Sequence, residues 1–201
     1  MRIRRSMSRS VARPGSHELA AACVMLRTSM VWDVYESPIG ALTVSRSDRG
    51  LSGVWFPGQG VPRDERWRDP GALAEAIGHL EEYFAGDRQE FELELDLTGG
   101  SPFQEQVWAR LRAIPFGETV SYGRVAADIG WPERAIPVGA AVGKTLVPII
   151  VPCHRVIGSD GSLTGYGGGL HRKAALLDLE QRVAEGKAPE PAWAFRQLAL
   201  L

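Results

Sequence analysis

The sequence predicts an α/β chain in two parts, and three observations predict it. Residues 31–56 alternate apolar and polar positions between turn signals. Residues 101–142 carry apolar residues at helical spacing, with good start and stop residues at each segment. Between them Asp96–Gly100 is polar and ends in two glycines, as a linker does. The expected organisation is a small N-terminal sheet-plus-helix domain over 31–96 and a mostly helical C-terminal domain over 101–185. A basic, disordered extension over 1–30 and a tail over 186–201 flank them, and Trp193 and Phe195 suggest that the tail packs back as a short helix.

The elements follow in order. Trp32, Val34 and Tyr35 form a first strand, Ser37-Pro38-Ile39-Gly40 turns it, and Leu42 and Val44 alternate with Thr43 and Ser45 in a second. Ser47-Asp48-Arg49-Gly50 turns again into a third strand over Leu51–Phe56. Residues 57–71 are rich in Pro, Gly, Arg and Asp and make a loop. Leu73, Ile77, Leu80 and Phe84 share one helical face, and Gly86 ends that helix. Phe91, Leu93, Leu95 and Leu97 alternate with acids, which predicts a strand with one wet face. All of 31–97 reads as scaffold without chemistry of its own.

The C-terminal half starts with Ser101-Pro102 and Gln104, a capping-box pattern with proline at the first helical position. Phe103, Val107 and Leu111 lie on one face, and Ile114-Pro115-Phe116-Gly117 breaks the helix. Ser121 caps a second helix that turns Tyr122, Val125, Ala126 and Ile129 inward and stops at Gly130. A third short helix fits Pro137–Val142, with Gly139 and Ala140 giving it a small-residue face that a groove or another helix can approach closely. Two short helices joined at a glycine turn have a helix-turn-helix outline, a common arrangement that is not specific by itself.

Composition narrows the function classes. No apolar run approaches the ~20 residues of a membrane span. The only cysteines are Cys23 and Cys153, which implies a reducing, cytoplasmic setting rather than a disulfide framework. His17, His79, His154 and His171 show no paired metal-ligand spacing with them. Charge is uneven: six arginines and one glutamate in 1–30, six arginines against fourteen acids in 31–100, and eleven basic against nine acidic residues in 101–201. The front stretch reads as a basic arm, or as an upstream start with Met30 as the alternative initiator. The middle third repels a phosphate backbone, so charge alone does not suggest nucleic acid.

Chemistry concentrates at Val151-Pro152-Cys153-His154-Arg155-Val156, where the apolar run Leu146–Ile150 gives way to the glycine-dense loop Ile157–Gly169. A bare Cys-His pair is more often a small buried thiol beside a chance histidine than a reactive centre. Its surroundings distinguish this one. Pro152–Gly158, then Leu163, Thr164, Gly165, Tyr166, Gly168 and Gly169, then Lys173, Leu176, Leu177 and Glu180 form an ordered series. Upstream, Phe103-Gln104, Val107-Trp108, Leu111, Ile114-Pro115, Gly117-Glu118-Thr119 and Ser121-Tyr122-Gly123 continue it. This series resembles the O6-alkylguanine-DNA alkyltransferases (methylated-DNA–protein-cysteine methyltransferases), strongly over 101–180 and more weakly over 31–100.

The resemblance implies a ribonuclease-H-like N-terminal domain and a helix-turn-helix of winged-helix type. It implies a monomer that binds double-stranded DNA carrying O6-alkylguanine, rotates the base out of the stack and moves its alkyl group irreversibly to Cys153. O4-alkylthymine falls within the same chemistry. No cofactor is implied, and the structural zinc that some members carry finds no ligand set in this sequence. By resemblance His154 is the base toward Cys153 through a bridging water, Glu180 orients the imidazole, and Tyr122 donates to the leaving ring. Tyr166, Gly167 and Gly168 form the loop that reads the base, and Arg155, Arg134, Ile136, Gly139, Ala140 and Thr145 complete the substrate- and DNA-facing set.

The sequence departs from the family's pattern at two places. Ile136 stands where the family places an arginine that fills the gap left by the flipped base, and Pro137 follows where alanine is usual; an apolar wedge can also hold such a gap. Proline fixes φ and lacks an N–H, which predicts a later helix start. Thr145-Leu146 replaces the usual Asn-Pro, and Thr145 can make only some of the asparagine's side-chain-to-backbone bonds. These departures leave two other readings open: an alkylated-DNA sensor without efficient transfer, or a transferase acting on a small-molecule donor.

Overall fold

The computed structural model describes residues 30–59 and 64–190 of the chain. The basic extension, the tip of the 57–71 loop, and Trp193 and Phe195 with their proposed helix lie outside the described residues.

Three antiparallel strands, β1 (Val31–Ser37), β2 (Gly40–Ser47) and β3 (Gly50–Trp55), form a meander in the order β1-β2-β3. Helix α1 (Pro70–Ala85) packs on β1 and β2 through Leu73, Ala76, Leu80, Tyr83 and Phe84. Asp69 caps its start and Gly86, with φ 84°, ends it in the left-handed conformation.

The alternating stretch after α1 is not a regular strand. Leu95 makes one parallel bridge to Leu51, through Leu51 N–H to Glu94 O at 2.8 Å and Asp96 N–H to Leu51 O at 2.8 Å. Glu92 and Glu94 face water as the alternation predicts, but Asp96 turns inward and only a short piece lies beside β3. Gly50 permits that approach: with φ 136°, a Cβ there would stand 2.4 Å from Glu94 O. The expected linker is pinned at its first residue, because buried Asp96 accepts bonds from Ser47 Oγ (2.6 Å) and from both the backbone and side chain of Thr98.

The C-terminal half contains α2 (Pro102–Arg112), β4 (Val120–Ser121), α3 (Tyr122–Asp128), α4 (Ala135–Val142), β5 (Val156–Ile157) and α5 (Leu170–Ala184). Ser101 and Gln104 form the complete capping box at the start of α2. Helices α3 and α4 pack on each other and on α2 in a helix-turn-helix, with Gly130 (φ 84°) in the turn. The expected late start of α4 is corrected. The helix begins at Ala135, and Pro137 occupies its first turn, where a backbone N–H has no intrahelical partner to lose.

One continuous core joins the two halves. Val44 and Leu80 lie in it with Trp108, Val125, Val147 and Leu176, all 2% exposed or less. Val54 N–H also reaches across to Leu146 O at 3.0 Å.

Candidate active site

The apolar run before the cysteine is buried throughout Val147–Val151. Ile149 adopts φ 76°, a left-handed conformation that costs a β-branched residue about 1–3 kcal/mol and persists because its neighbours over-determine it. Val151 N–H bonds Val147 O at 2.9 Å, and Cys153 N–H bonds Val151 O at 2.7 Å. The backbone thereby delivers Cys153, His154 and Arg155 on one 3-10 turn, all buried. Directly after it β5 pairs in parallel with β4, Val156 opposite Val120 and Ile157 opposite Ser121. Ser121 is also the cap of α3, its Oγ accepting from Arg124 N–H at 3.1 Å. The same ladder that holds the cysteine turn therefore fixes Tyr122 beside the glycine loop, where its hydroxyl donates to Thr164 O at 3.2 Å.

Helix α5 presents Lys173 and Glu180 seven residues apart, on one face, both fully buried. Lys173 Nζ donates to Val156 O (2.5 Å) and Thr164 O (2.8 Å), tying the start of the glycine loop to its middle. Glu180 collects five donors. Oε1 accepts from His154 Nε2 (2.7 Å), Tyr83 Oη (2.8 Å) and one Arg155 nitrogen (2.9 Å); Oε2 accepts from Arg155 Nε (2.8 Å) and Gly117 N–H (3.1 Å). Gly117 sits at φ 77°, and a Cβ there would stand 3.0 Å from Ala184, so glycine both makes the turn and lets α5 come close.

Burial alone would push the Glu180 carboxyl up. In acid, where His154 is protonated, its charge and hydrogen bond, with those of Arg155, overcome that and hold the carboxyl at about 2. Burial lowers His154, against the opposing pull of Glu180. The pair is therefore a carboxylate balanced by Arg155 and a neutral imidazole whose Nε2–H donates to it. Nδ1 is then the acceptor nitrogen, and it is buried with no protein partner. Burial raises the Cys153 thiol to about 12, while the Thr145 hydroxyl and the Lys173 ammonium pull the other way. At rest Cys153 is a thiol, and such a thiol needs a base before it can act as a nucleophile.

Cys153 opens on a cavity of about 520 Å³, bounded by Thr145, Tyr166 and Gly167 on its own domain and by Phe56 and Gln59 from the N-terminal one. Gln59 Nε2 donates to Gly167 O at 3.2 Å, so the N-terminal domain also grips the glycine loop. The Tyr166 ring packs 5.4 Å from Phe56, with its hydroxyl buried and unbonded. A Cβ on Gly168 would stand 2.8 Å from the Phe56 ring.

The sequence-predicted residues fall into three groups. Cys153, His154, Glu180, Tyr166, Gly167, Gly168 and Thr145 gather at or directly behind the cavity, and Thr145 Oγ1 also ties the preceding turn to Val142 O at 2.8 Å. Tyr122 stands beside the glycine loop, next to Gly139: a Cβ there would lie 3.7 Å from the Tyr122 ring. Ile136 and Ala140 are exposed on α4, Ile136 at 88%. Arg134 caps that helix, with its guanidinium 4.3 Å from the Trp131 ring.

Arg155 is a correction. It is 5% exposed, gives its guanidinium to Glu180 and Ile114 O (2.6 Å), and lies 5.6 Å from the Phe116 ring, so it cannot face DNA. Two members of the Glu180 cluster were not predicted. Tyr83 belongs to the N-terminal helix, and Gly117 contributes only a backbone N–H. The one available signal for Tyr83 was a tyrosine on an otherwise apolar helical face, whose buried hydroxyl must find a partner.

Fold and site define a protein with a buried cysteine next to a hydrogen-bonded histidine–glutamate pair, beside a helix-turn-helix. Comparison with known proteins makes this specific. Residues 30–97 match the model for the ribonuclease-like domain of 6-O-methylguanine DNA methyltransferase, and residues 102–182 match the model for its DNA binding domain. The methylated-DNA--protein-cysteine methyltransferase of Mycobacterium tuberculosis is 50% identical over 148 residues, covering 73% of this chain and 89% of that protein. That of Methanosarcina acetivorans is 41% identical over 160 residues, covering 75% and 98%. A crystal structure of Mycobacterium tuberculosis OGT in complex with DNA superposes with a TM-score of 0.73 at 46% identity, covering 84% of this chain and 98% of that one. The chain belongs to the 6-O-methylguanine DNA methyltransferase family.

The site predicts how stability falls with acid. His154 is depressed below its ordinary 6.5, so the unfolded chain takes up that proton first and stability starts to fall as the pH drops below 6.5. Glu180, depressed from 4.5 to about 2, removes a second contribution between those values. Urea midpoints across this range should descend in two stages, and His154→Gln should flatten most of the upper one. An unchanged upper slope in that variant would assign it to other groups, such as His171.

Proposed function

We infer that the protein repairs DNA by direct reversal, moving the alkyl group from O6 of guanine in duplex DNA onto Sγ of Cys153. The observation that carries this reading is the buried thiol at the cavity, backed by a neutral imidazole that a carboxylate holds by its far nitrogen. His154 Nδ1 takes the thiol proton through a bridging water. Sγ attacks the alkyl carbon in line, the new S–C bond forms as the C–O6 bond breaks, and the electron pair leaves with the base. Tyr122, released from Thr164 O, donates a hydrogen bond to the departing ring, and the proton that His154 took from the thiol returns through water and the Tyr122 hydroxyl to that ring, so the guanine leaves neutral and the imidazole is neutral again. The thioether has no group to remove it, so each chain acts once. Every group this needs comes from the chain or the damaged base.

Tyr166, Gly167 and Gly168 hold the flipped base, and α4 faces the duplex with Ile136 at its leading end. Ile136 acts as an apolar wedge in the space the base leaves, and its 88% exposure supports that role. Gly139 and Ala140 let the helix lie close to the groove. The sensor reading needs a site without a working nucleophile, whereas this one holds thiol, base and carboxylate together. The protein works as a monomer in the cytoplasm, where a free thiol stays reduced; no helix among the described residues is long and apolar enough to cross a membrane.

Intact-protein mass after incubation with a duplex carrying O6-methylguanine should rise by one methylene per chain and then saturate, with no rise for Cys153→Ala. A folded wild type that gains nothing from the duplex but is alkylated by free O6-methylguanine would support the small-molecule reading instead. Gain from neither, with lesion binding intact, would support the sensor.

Ile136→Ala should slow transfer from duplex DNA about tenfold, the kinetic equivalent of ~1.4 kcal/mol and comparable to losing most of a branched side chain's burial. Transfer from the free base should be unchanged. Equal slowing on both substrates would place Ile136 outside DNA engagement.

A further inference from the structure

The N-terminal domain reaches the catalytic histidine through one side chain. Tyr83 is fully buried near the end of α1, and its hydroxyl donates to Glu180 Oε1 at 2.8 Å. That same oxygen accepts from His154 Nε2 at 2.7 Å. Three rings fix the phenol: Phe84 edge-on at 5.3 Å, Phe91 tilted at 5.4 Å and Phe116 edge-on at 6.0 Å. Phe116 comes from the C-terminal domain, beside Gly117 and next to the Arg155 guanidinium. The hydroxyl therefore has one direction to point, and the docking of the two domains sets it.

We propose that Tyr83 is a positioning residue for alkyl transfer, holding Glu180 Oε1 in place and tempering its basicity so that His154 remains a neutral base. The proposal rests on the alkyl-transfer reading for its kinetic consequence, but not for its effect on the imidazole. A hydrogen bond donated to a carboxylate stabilises the anion and weakens its hold on a proton across the shared oxygen. Burial keeps the Tyr83 hydroxyl protonated, so it is a donor at every working pH. The other groups facing the pair are Arg155 from the 3-10 turn, Lys173 from α5, the Cys153 thiol and the Tyr166 hydroxyl. Arg155 and Lys173 also disfavour a charged imidazole, but neither is a hydroxyl supplied by the N-terminal domain.

The test is Tyr83→Phe, which keeps the ring and removes the hydroxyl. The rate of transfer in a single turnover is followed against pH, and the His154 ring is titrated by NMR in the same full-length protein without DNA. Losing the donor makes Glu180 more basic and raises the pH at which His154 takes a second proton. The acid limb of the rate profile and the ring titration should both move up by about one pH unit, tenfold in the protonation constant. Lesion-duplex affinity should be unchanged.

Leu73→Val loosens the packing of the same helix at its far end, away from Tyr83 and Glu180, and it should leave both the limb and the titration at their wild-type positions. If Tyr83→Phe leaves both where they are, or if Leu73→Val moves them equally, the positioning role is overturned and the hydroxyl serves packing alone. Should the wild type transfer no alkyl group, the function reading fails, and the ring titration still decides the role of Tyr83.

Discussion

A carboxylate with no exposed surface is the constraint on which the rest of this molecule depends. Glu180 is wholly buried, and a buried charge is tolerated only when it is paired and its lone pairs are filled. Meeting that demand recruits a guanidinium, an imidazole, a phenol and a backbone N–H from three separate parts of the chain. Arg155 neutralises the charge, which leaves His154 free to remain neutral. Replacing only one partner would strand the others, so the cluster holds its geometry as a unit.

This arrangement also explains why the Cys153 thiol is quiet at rest. Burial favours the Cys153 thiol over the thiolate, and no imidazolium stands beside it to reverse that preference. A protein that is consumed by one alkyl transfer gains from a cysteine that resists stray electrophiles and is deprotonated only as it reacts. The neutral imidazole provides for that, because its remaining nitrogen is a base and not a second acid. The energy for the strained turn at Ile149 comes from the same packed core that encloses the cluster.

Much of this was legible in the sequence, for identifiable reasons. Ser101, Pro102 and Gln104 encode a helix start through local bonds, and the structure forms those bonds. Cys153, His154 and Glu180 were readable as a set because their neighbours occur in a recognisable order. Other features depend on contacts distant in the chain. Phe91–Leu97 alternates like a strand, yet only Leu95 finds a ladder partner, because β3 offers room beside Gly50 and little more. Resemblance put Arg155 in the DNA-facing set, and only the fold shows that its charge is spent on Glu180. Pro137 looked like a cause of a later helix start, but it fits within the first turn of a helix that begins at Ala135. Tyr83 lies ninety-seven residues from its partner, a pairing no local pattern records.

The central claim is that the Glu180 cluster keeps His154 neutral, with its proton on Nε2 and a free lone pair on Nδ1. Nitrogen-15 NMR of the histidine ring at neutral pH tests it most directly. The account predicts one protonated nitrogen, Nε2, coupled to the carboxylate side, and an unprotonated Nδ1. An imidazolium with both nitrogens protonated, or a ring protonated on Nδ1 alone, would contradict it.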